Sequence, residues 1–303
     1  MENWRRHPLV FWVTSLPPTF WLVAFFLVPL AMVWIFSFSE KQGIIDLELT
    51  WTLDNYARAV EWIYLEILLK SFWMAALTTL FCFILGFPVA FAISFASAKW
   101  KPVLLLLVIL PFWTNLLIRT YALIAVLRSR GYVNFTLEWF YDHIYWFVDG
   151  IGLGHLMNPR FQYLELLYNN TAVLFGMTYV FLPFMILPLY AALERMDRSY
   201  IEASLDLGAS QVRTFRTVII PLSKAGILSG IIITFIPALG SFLQPDLLGG
   251  PDSQLIGNVI ERQFKSANDW PFGAALSFIL MYLTFGALAL RAVMERKNSM
   301  REG

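Results

Sequence analysis

The chain has 303 residues, of which 58% are hydrophobic, 17% aromatic and only 14% charged, with a formal net charge of +1. This is far more apolar than a soluble domain, and a bilayer is the solvent that such a composition fits. One cysteine, Cys82, and three histidines, His7, His143 and His155, exclude a disulfide-held fold and a multi-cysteine metal site.

Six stretches are long and apolar enough to be spans: 17–38, 71–96, 103–127, 171–193, 225–247 and 272–290. A helix crosses about 30 Å of hydrocarbon with about 20 residues, and it satisfies its own backbone where no water is available. The pattern predicts an all-α integral membrane protein with six transmembrane helices. The first span follows Arg5 and Arg6 and runs on without a small-residue cleavage site, so it is expected to stay as an anchor rather than leave as a signal peptide.

Placing the N-terminus in the cytoplasm puts 1–16, 97–102, 194–224 and 291–303 inside. These segments hold 13 of the 22 basic residues and 7 of the 21 acidic ones. A basic excess on short inner loops follows the positive-inside rule, so both termini are expected in the cytoplasm and the outer face is acidic.

Several spans carry helix punctuation: Gly86 and Pro88 in the second, Pro111 in the third, Pro183 and Pro188 in the fourth, Pro237 and Gly240 in the fifth. Proline removes a backbone donor and kinks a helix. The cluster reads either as ordinary packing, since Gly and Pro are common in membrane helices, or as the breaks of a bundle that opens and closes.

After the third span, the outer segment 128–170 contains "YVNFTLEWFYDHIYWFV" (132–148), aromatic enough to suggest another crossing. Glu138, Asp142 and His143 argue against one, because an intramembrane charge costs roughly 2.5–3.5 kcal/mol even on lenient scales. Its Trp and Tyr residues suit the headgroup level, and an interfacial outer helix is expected.

Between the fourth and fifth spans lies "EASLDLGASQVRTFRTVIIP" (202–221). Ile201, Leu205 and Leu207 alternate with Glu202, Ser204 and Asp206, which predicts a short amphipathic helix. Gly208 supplies its stop and Ser210 a cap for a second short helix bearing Arg213 and Arg216. Physics alone leaves this elbow as either a solvated loop or a docking knob for a cytoplasmic partner.

That stretch resembles the cytoplasmic signature of the permease subunits of bacterial type I ABC importers: Glu-Ala-Ala, a Gly after a short gap, and an apolar end before Pro. Here it reads Glu202, Ala203, Ser204, Gly208, Ile219, Ile220 and Pro221, with Ser204 in place of the second Ala. "PFWTNLLIRTY" (111–121), "PDLLGG" (245–250) and "IGNVIERQF…DWPFGAA" (256–275) are similar, more specifically, to the first of the two paired permeases of spermidine/putrescine importers. The similarity runs over roughly 20–295.

The resemblance implies the type I importer permease fold with a core over 66–290, and a bacterial inner membrane location. It implies a coupling helix at Glu202, Ala203, Ser204, Leu205, Gly208 and Ala209 that docks on an ATPase. Its partners would be a second homologous permease, two cytoplasmic ATPase subunits and a periplasmic polyamine-binding protein. The sequence contains no G-x-x-x-x-G-K-[ST] loop, so ATP and Mg are expected on the partner ATPase, with no cofactor and no catalytic residue in this chain.

For a polyamine, carboxylates and aromatic faces are the groups to seek. Asp246 is either a pathway carboxylate or a charge at a span end; Ser241, Phe242 and Gln244 lie within about a turn of it. Trp113, Asn115 and Tyr121 are either pathway contacts or belt residues. Arg119 would repel a cationic cargo, and it either snorkels outward or pairs with an acid of the partner subunit or binding protein. The alternatives are a related importer for another small solute, a self-contained secondary transporter, and a membrane enzyme, for which no nucleophile–base pair or carboxylate dyad is seen at depth.

Overall fold

The computed structural model describes residues 8–43, 46–151, 158 and 160–302. His7, His155, Arg5 and Arg6, which entered the topology and metal arguments, lie outside the described residues. The chain divides into two units, one made of residues up to 65 together with those from 259, the other of 66–258.

In the first unit, α1 (Pro8–Leu22) and α2 (Val28–Phe36) are joined by one π-helical stretch, Val23–Leu27. The helix thus starts ahead of the expected span boundary at 17, because Pro17 and Pro18 sit inside it without ending it. Its apolar side chains, Trp12, Phe20, Trp21 and Phe25 among them, are exposed, and Phe11–Phe36 is long and apolar enough to cross a membrane. Two short antiparallel strands follow, β1 (Glu40–Gln42) and β2 (Asp46–Glu48), with Lys41 opposite Leu47.

Helix α3 (Asp54–Ala59) is fixed by polar contacts to the end of α2: Asn55 Nδ2 donates to the carbonyls of Ser37 and Ser39, and Ser37 Oγ lies 2.7 Å from Tyr56 Oη. The long last helix, α14 (Trp270–Glu302), carries the chain past the expected end of the sixth span at 290. It is tied to α2 and α3 by Trp34 Nε1 donating to Tyr282 Oη at 2.8 Å and by an Arg58–Asp269 ion pair at 2.8 Å. The Arg58 guanidinium also lies 3.9 Å from the ring centre of Phe272.

The second unit is built on α4 (Trp62–Phe95), α8 (Asn170–Glu194) and α12 (Lys224–Leu239). Helix α4 buries one stripe, with Met74, Ala75, Thr78, Cys82, Phe87, Ala90 and Ile93 facing inward and Phe72, Leu80 and Ile84 outward. Asn169 starts α8, its Oδ1 accepting from Ala172 N at 2.8 Å. Helix α8 runs unbroken through Pro183 and Pro188, and α12 packs along it at close range. The reason is small residues: a side chain on Gly226 would stand 2.8 Å from the carbonyl oxygen of Pro188, and one on Gly230 2.7 Å from Met185 Sδ. Membrane helices use a small-xxx-small spacing to bring backbones this near.

The third expected span, 103–127, is not one helix. Helix α5 (Lys101–Ile109) gives way to a 3₁₀ turn at Leu110–Trp113, Thr114 is extended, and α6 (Leu116–Leu127) starts anew. The two sides of the break are bent by 96°. Pro111 cannot donate to the helix before it, and Asn115 Oδ1 accepts from Leu117 N at 2.8 Å, which caps the new start.

Helix α7 (Tyr132–Gly150) lies within the segment 128–170, with Tyr132, Trp139, Phe140, Trp146 and Phe147 exposed. The fifth expected span, 225–247, is also interrupted: α12 stops at Leu239, and α13 (Leu243–Leu248) follows after Gly240–Phe242.

Among the described residues, three helices are long and apolar enough to cross a membrane, and two further bent pairs could each make one more; Trp270–Gly286 is a shorter apolar helix.

Candidate functional site

The elbow between α8 and α12 is formed by α9 (Ser199–Asp206), α10 (Gln211–Thr214), a π-helical stretch at Phe215–Ile219 and α11 (Ile220–Leu222). Asp197 Oδ1 accepts from Ser199 N at 3.0 Å at the start of α9, and hydrogen bonding from Ser199 holds the Asp197 carboxyl below the usual carboxylate range. At the other end the backbone turns at Gly208 with φ of +81°, which glycine adopts without the steric cost of a Cβ. The amides of Gly208 and Ala209 donate to the carbonyls of Leu205 and Ser204, giving the exposed C-terminus partners. Ser210 Oγ then accepts from Arg213 N at 3.3 Å and caps α10.

Side chains fix the elbow to the helices. Ser204 Oγ and Thr214 Oγ1 are 2.9 Å apart, joining α9 to α10. Phe215 packs edge-on against Phe87 of α4 with centroids 5.4 Å apart. Arg198 donates to the carbonyl of Ser94 at 3.1 Å and covers the Phe95 ring at the end of α4. Lys101 of α5 pairs with Glu194 of α8 at 2.6 Å. Glu202, Ala203, Leu205 and Gly208 are exposed and Ala209 half-buried, while Leu207 is 88% exposed. The elbow is therefore anchored on one side and open, with apolar and acidic groups, on the other. A cavity of about 590 Å³ lies at its base beside Arg195, Asp197 and Tyr200.

A second cavity, of about 320 Å³, lies where the two helix breaks meet α8, lined by Phe112, Arg119, Phe184, Ser241, Phe242 and Gln244 among others. Phe112 and Phe184 make an edge-on wall at 5.0 Å. The α12–α13 break is held in shape by Asn258 Nδ2, which donates to the carbonyl of Phe242 at 2.7 Å, and by Leu255 N, which donates to Asn258 Oδ1 at 3.1 Å. Ser241 Oγ donates to Gln244 Oε1 at 2.5 Å. Among the described residues, Gln244 Nε2 and Arg119 Nε and Nη1 are buried and have no acceptor.

Of the pathway residues suggested by the sequence, this cavity brings together Ser241, Phe242 and Gln244. Asp246 is exposed on α13, Trp113 is 75% exposed at the first break, Tyr121 is exposed on α6, and Asn115 is occupied as the α6 cap. None of these four lines it. Phe112, Phe181 and Phe184 do, and no local sequence signal marks them out from other apolar residues.

The family described as "Binding-protein-dependent transport system inner membrane component" matches residues 8–298. The chain is 42% identical over 260 residues to the spermidine/putrescine transport system permease protein PotB of Salmonella typhimurium, covering 86% of this chain and 85% of the relative. To PotB of Escherichia coli it is 41% identical, covering 86% and 88%. A solved bacterial ABC transporter involved in the import of the acidic polysaccharide alginate shares the fold, with a TM-score of 0.67 at 17% identity over 97% of both chains. A match over nearly the whole length, on helices of membrane-spanning length and composition, means that the chain belongs to the family of binding-protein-dependent transport system inner membrane components.

Proposed function

We propose that the chain is the permease subunit of an ATP-driven importer that moves polyamines of the spermidine/putrescine class from periplasm to cytoplasm. The observation that carries this is the 42% identity to PotB over 86% of the chain. Six spans with both termini in the cytoplasm are the arrangement that the basic inner segments support. The location is the bacterial inner membrane.

On this reading the chain is a transport subunit rather than an enzyme, and its work is mechanical. The open face of the elbow, with Glu202, Ala203, Leu205 and Gly208 exposed and Ala209 half-buried, sits on a cytoplasmic ATPase that binds the ATP and Mg, while half-buried Ser204 backs that face against Thr214. Closure of two ATPase subunits pushes that face. The Ser204–Thr214 hydrogen bond, the Phe215–Phe87 contact and the Arg198–Ser94 contact make α9, α10 and α4 move as one body, and rigid-body motion of packed helices is a recurrent form of switching. The second, homologous permease completes the bundle, and a periplasmic binding protein delivers the cargo.

Cargo contact is assigned to the outward end of the broken helices. Asp246 offers an exposed carboxylate for an ammonium group; Trp113 and Tyr121 offer exposed aromatic faces for ammonium and methylene groups. Ser241, Phe242, Gln244 and Asn115 shape the breaks behind them. Uptake by the reconstituted complex, with di- and triamines as competitors, tests the proposal. ATP-dependent uptake that polyamines compete for is the expected result, and uptake indifferent to every polyamine would remove the substrate assignment.

A further inference from the structure

We infer that the cavity at the two helix breaks receives a carboxylate side chain of the second permease subunit, with Arg119 and Gln244 as its donors. The inference rests on the importer reading above, which supplies both the second permease and the cationic cargo.

The cavity offers donors in want of an acceptor. Arg119 Nε and Nη1 and Gln244 Nε2 are buried without one among the described residues, and Gln244, 2% exposed, has already used its Oε1 on the Ser241 hydroxyl. A guanidinium has no acceptor of its own, and neither has an alkylammonium group. A polyamine placed here would set donor against donor and cation against cation, so the cavity is not a seat for the cargo even though three residues suggested for the pathway line it. Outward snorkelling of Arg119 is also disfavoured, since Nε and Nη1 are buried and its carbon Cζ stays 5.8 Å from the Phe112 ring centre.

What the donors call for is a carboxylate, the group that guanidinium binds most strongly. Phe112, Phe181 and Phe184 make much of the wall apolar, so a free ion would have to shed its water to enter. A carboxylate carried on a packed neighbouring helix is desolvated once, at assembly, and ionisable residues within membrane bundles pair with one another in this way. Both breaks contribute, Arg119 from α6 and Gln244 from α13, so the carboxylate would lock together two elements that are each interrupted.

The test uses the intact complex in detergent and reads the second permease retained after washing. Arg119→Gln should lower retention by roughly tenfold or more, because breaking a buried pair strands the remaining charge. Gln244→Met, which keeps the volume, should lower it by about threefold, as expected for one lost hydrogen bond. Arg119→Lys, which keeps the charge, should hold more than Arg119→Gln; a fold defect unrelated to charge would not separate those two. Changing the matching carboxylate of the second permease to its amide should restore retention in the Arg119→Gln background. Wild-type retention in both Arg119→Gln and Gln244→Met overturns the inference. So does a wild-type complex that added sodium acetate stabilises while leaving Arg119→Gln unaffected, since that outcome identifies a free anion. Absence of polyamine transport by the wild-type complex would remove the cargo assignment, and retention would still report on the carboxylate.

Discussion

Ser204 and Thr214 face each other across the elbow with side-chain oxygens 2.9 Å apart, and Thr214 is 2% exposed. Ser204 stands where the signature quoted above has its second alanine, a side chain that could not make this hydrogen bond. Ser204→Ala should leave the Thr214 hydroxyl buried and unpaired, at a cost of about 1–3 kcal/mol. Adding Thr214→Val should recover most of that loss. Thermal midpoints of the single and double variants in the purified complex check it; additive losses would show that the two oxygens do not interact.

Glu202 is exposed in the first turn of α9, on the open face of the elbow. Glu202→Lys should leave the helices folded and reverse the charge on the face proposed to dock on an ATPase. The expected outcome is ATP hydrolysis no longer stimulated by cargo and binding protein, with uptake lowered by roughly tenfold, the scale set by loss of a charge-assisted contact. Normal uptake in proteoliposomes would detach Glu202 from coupling.

The elbow was legible because its signals are local: an amphipathic period in 200–207, a glycine that can take positive φ, a serine that can cap. The breaks were only half legible. Pro111 and Gly240 mark real interruptions, yet Pro183 and Pro188 lie in α8 without ending it. The same residue type gives opposite results because packing decides whether the freed carbonyls are covered. The cavity was legible only in pieces: Arg119, Ser241, Phe242 and Gln244 each stand out in the sequence, but Arg119 and Gln244 lie on separate helices far apart in sequence and only the fold brings their donors to one space. The closeness of α8 and α12, by contrast, was written plainly as Gly226-x-x-x-Gly230, a spacing that a count of helix-breaking residues passes over.

That glycine pair makes an asymmetric prediction. A methyl on Gly226 meets the backbone carbonyl of Pro188, which cannot turn aside, whereas one on Gly230 meets the Met185 thioether, which can. Gly226→Ala should therefore destabilise the complex by about 1–3 kcal/mol through overpacking. Gly230→Ala should be close to neutral, because a gain of about 1 kcal/mol in helix propensity offsets the repacking of Met185. Equal thermal midpoints for the two variants would contradict the close approach at Pro188.

Asp197 gives the elbow a dependence on acid. Its carboxyl titrates below the ordinary range because the Ser199 backbone amide and hydroxyl favour the ionised form. A folded-state pKa below the unfolded one means that the contribution is fully present above the ordinary carboxylate range and fades as pH falls through the depressed value. Asp197→Asn removes the titrating group while keeping an oxygen that can accept from Ser199 N. Amide protection at the start of α9, taken relative to the intrinsic exchange rate at each pH, should then fall on acidification in the wild type and change less in the variant. Parallel pH profiles would show that the carboxylate does not hold this helix start.

Asp246 lies in the first turn of α13, exposed, with its amide donating to the Phe242 carbonyl at 3.0 Å. That backbone bond does not depend on the side chain, and no side-chain hydrogen bond or ion pair ties the carboxylate to the rest of the chain among the described residues. Asp246→Asn should therefore leave assembly and thermal midpoint unchanged. If the carboxylate meets an ammonium group of the cargo, its loss removes a charge-assisted contact of about 1.5–3 kcal/mol. Uptake at limiting polyamine should then fall by roughly tenfold or more, and raised substrate should recover part of it. Raised ionic strength should narrow the gap between variant and wild type, because screening weakens the attraction of an exposed charge for its cargo. An unchanged rate at limiting substrate would place Asp246 outside the cargo's path and leave the aromatic faces of Trp113 and Tyr121 as the groups to test next.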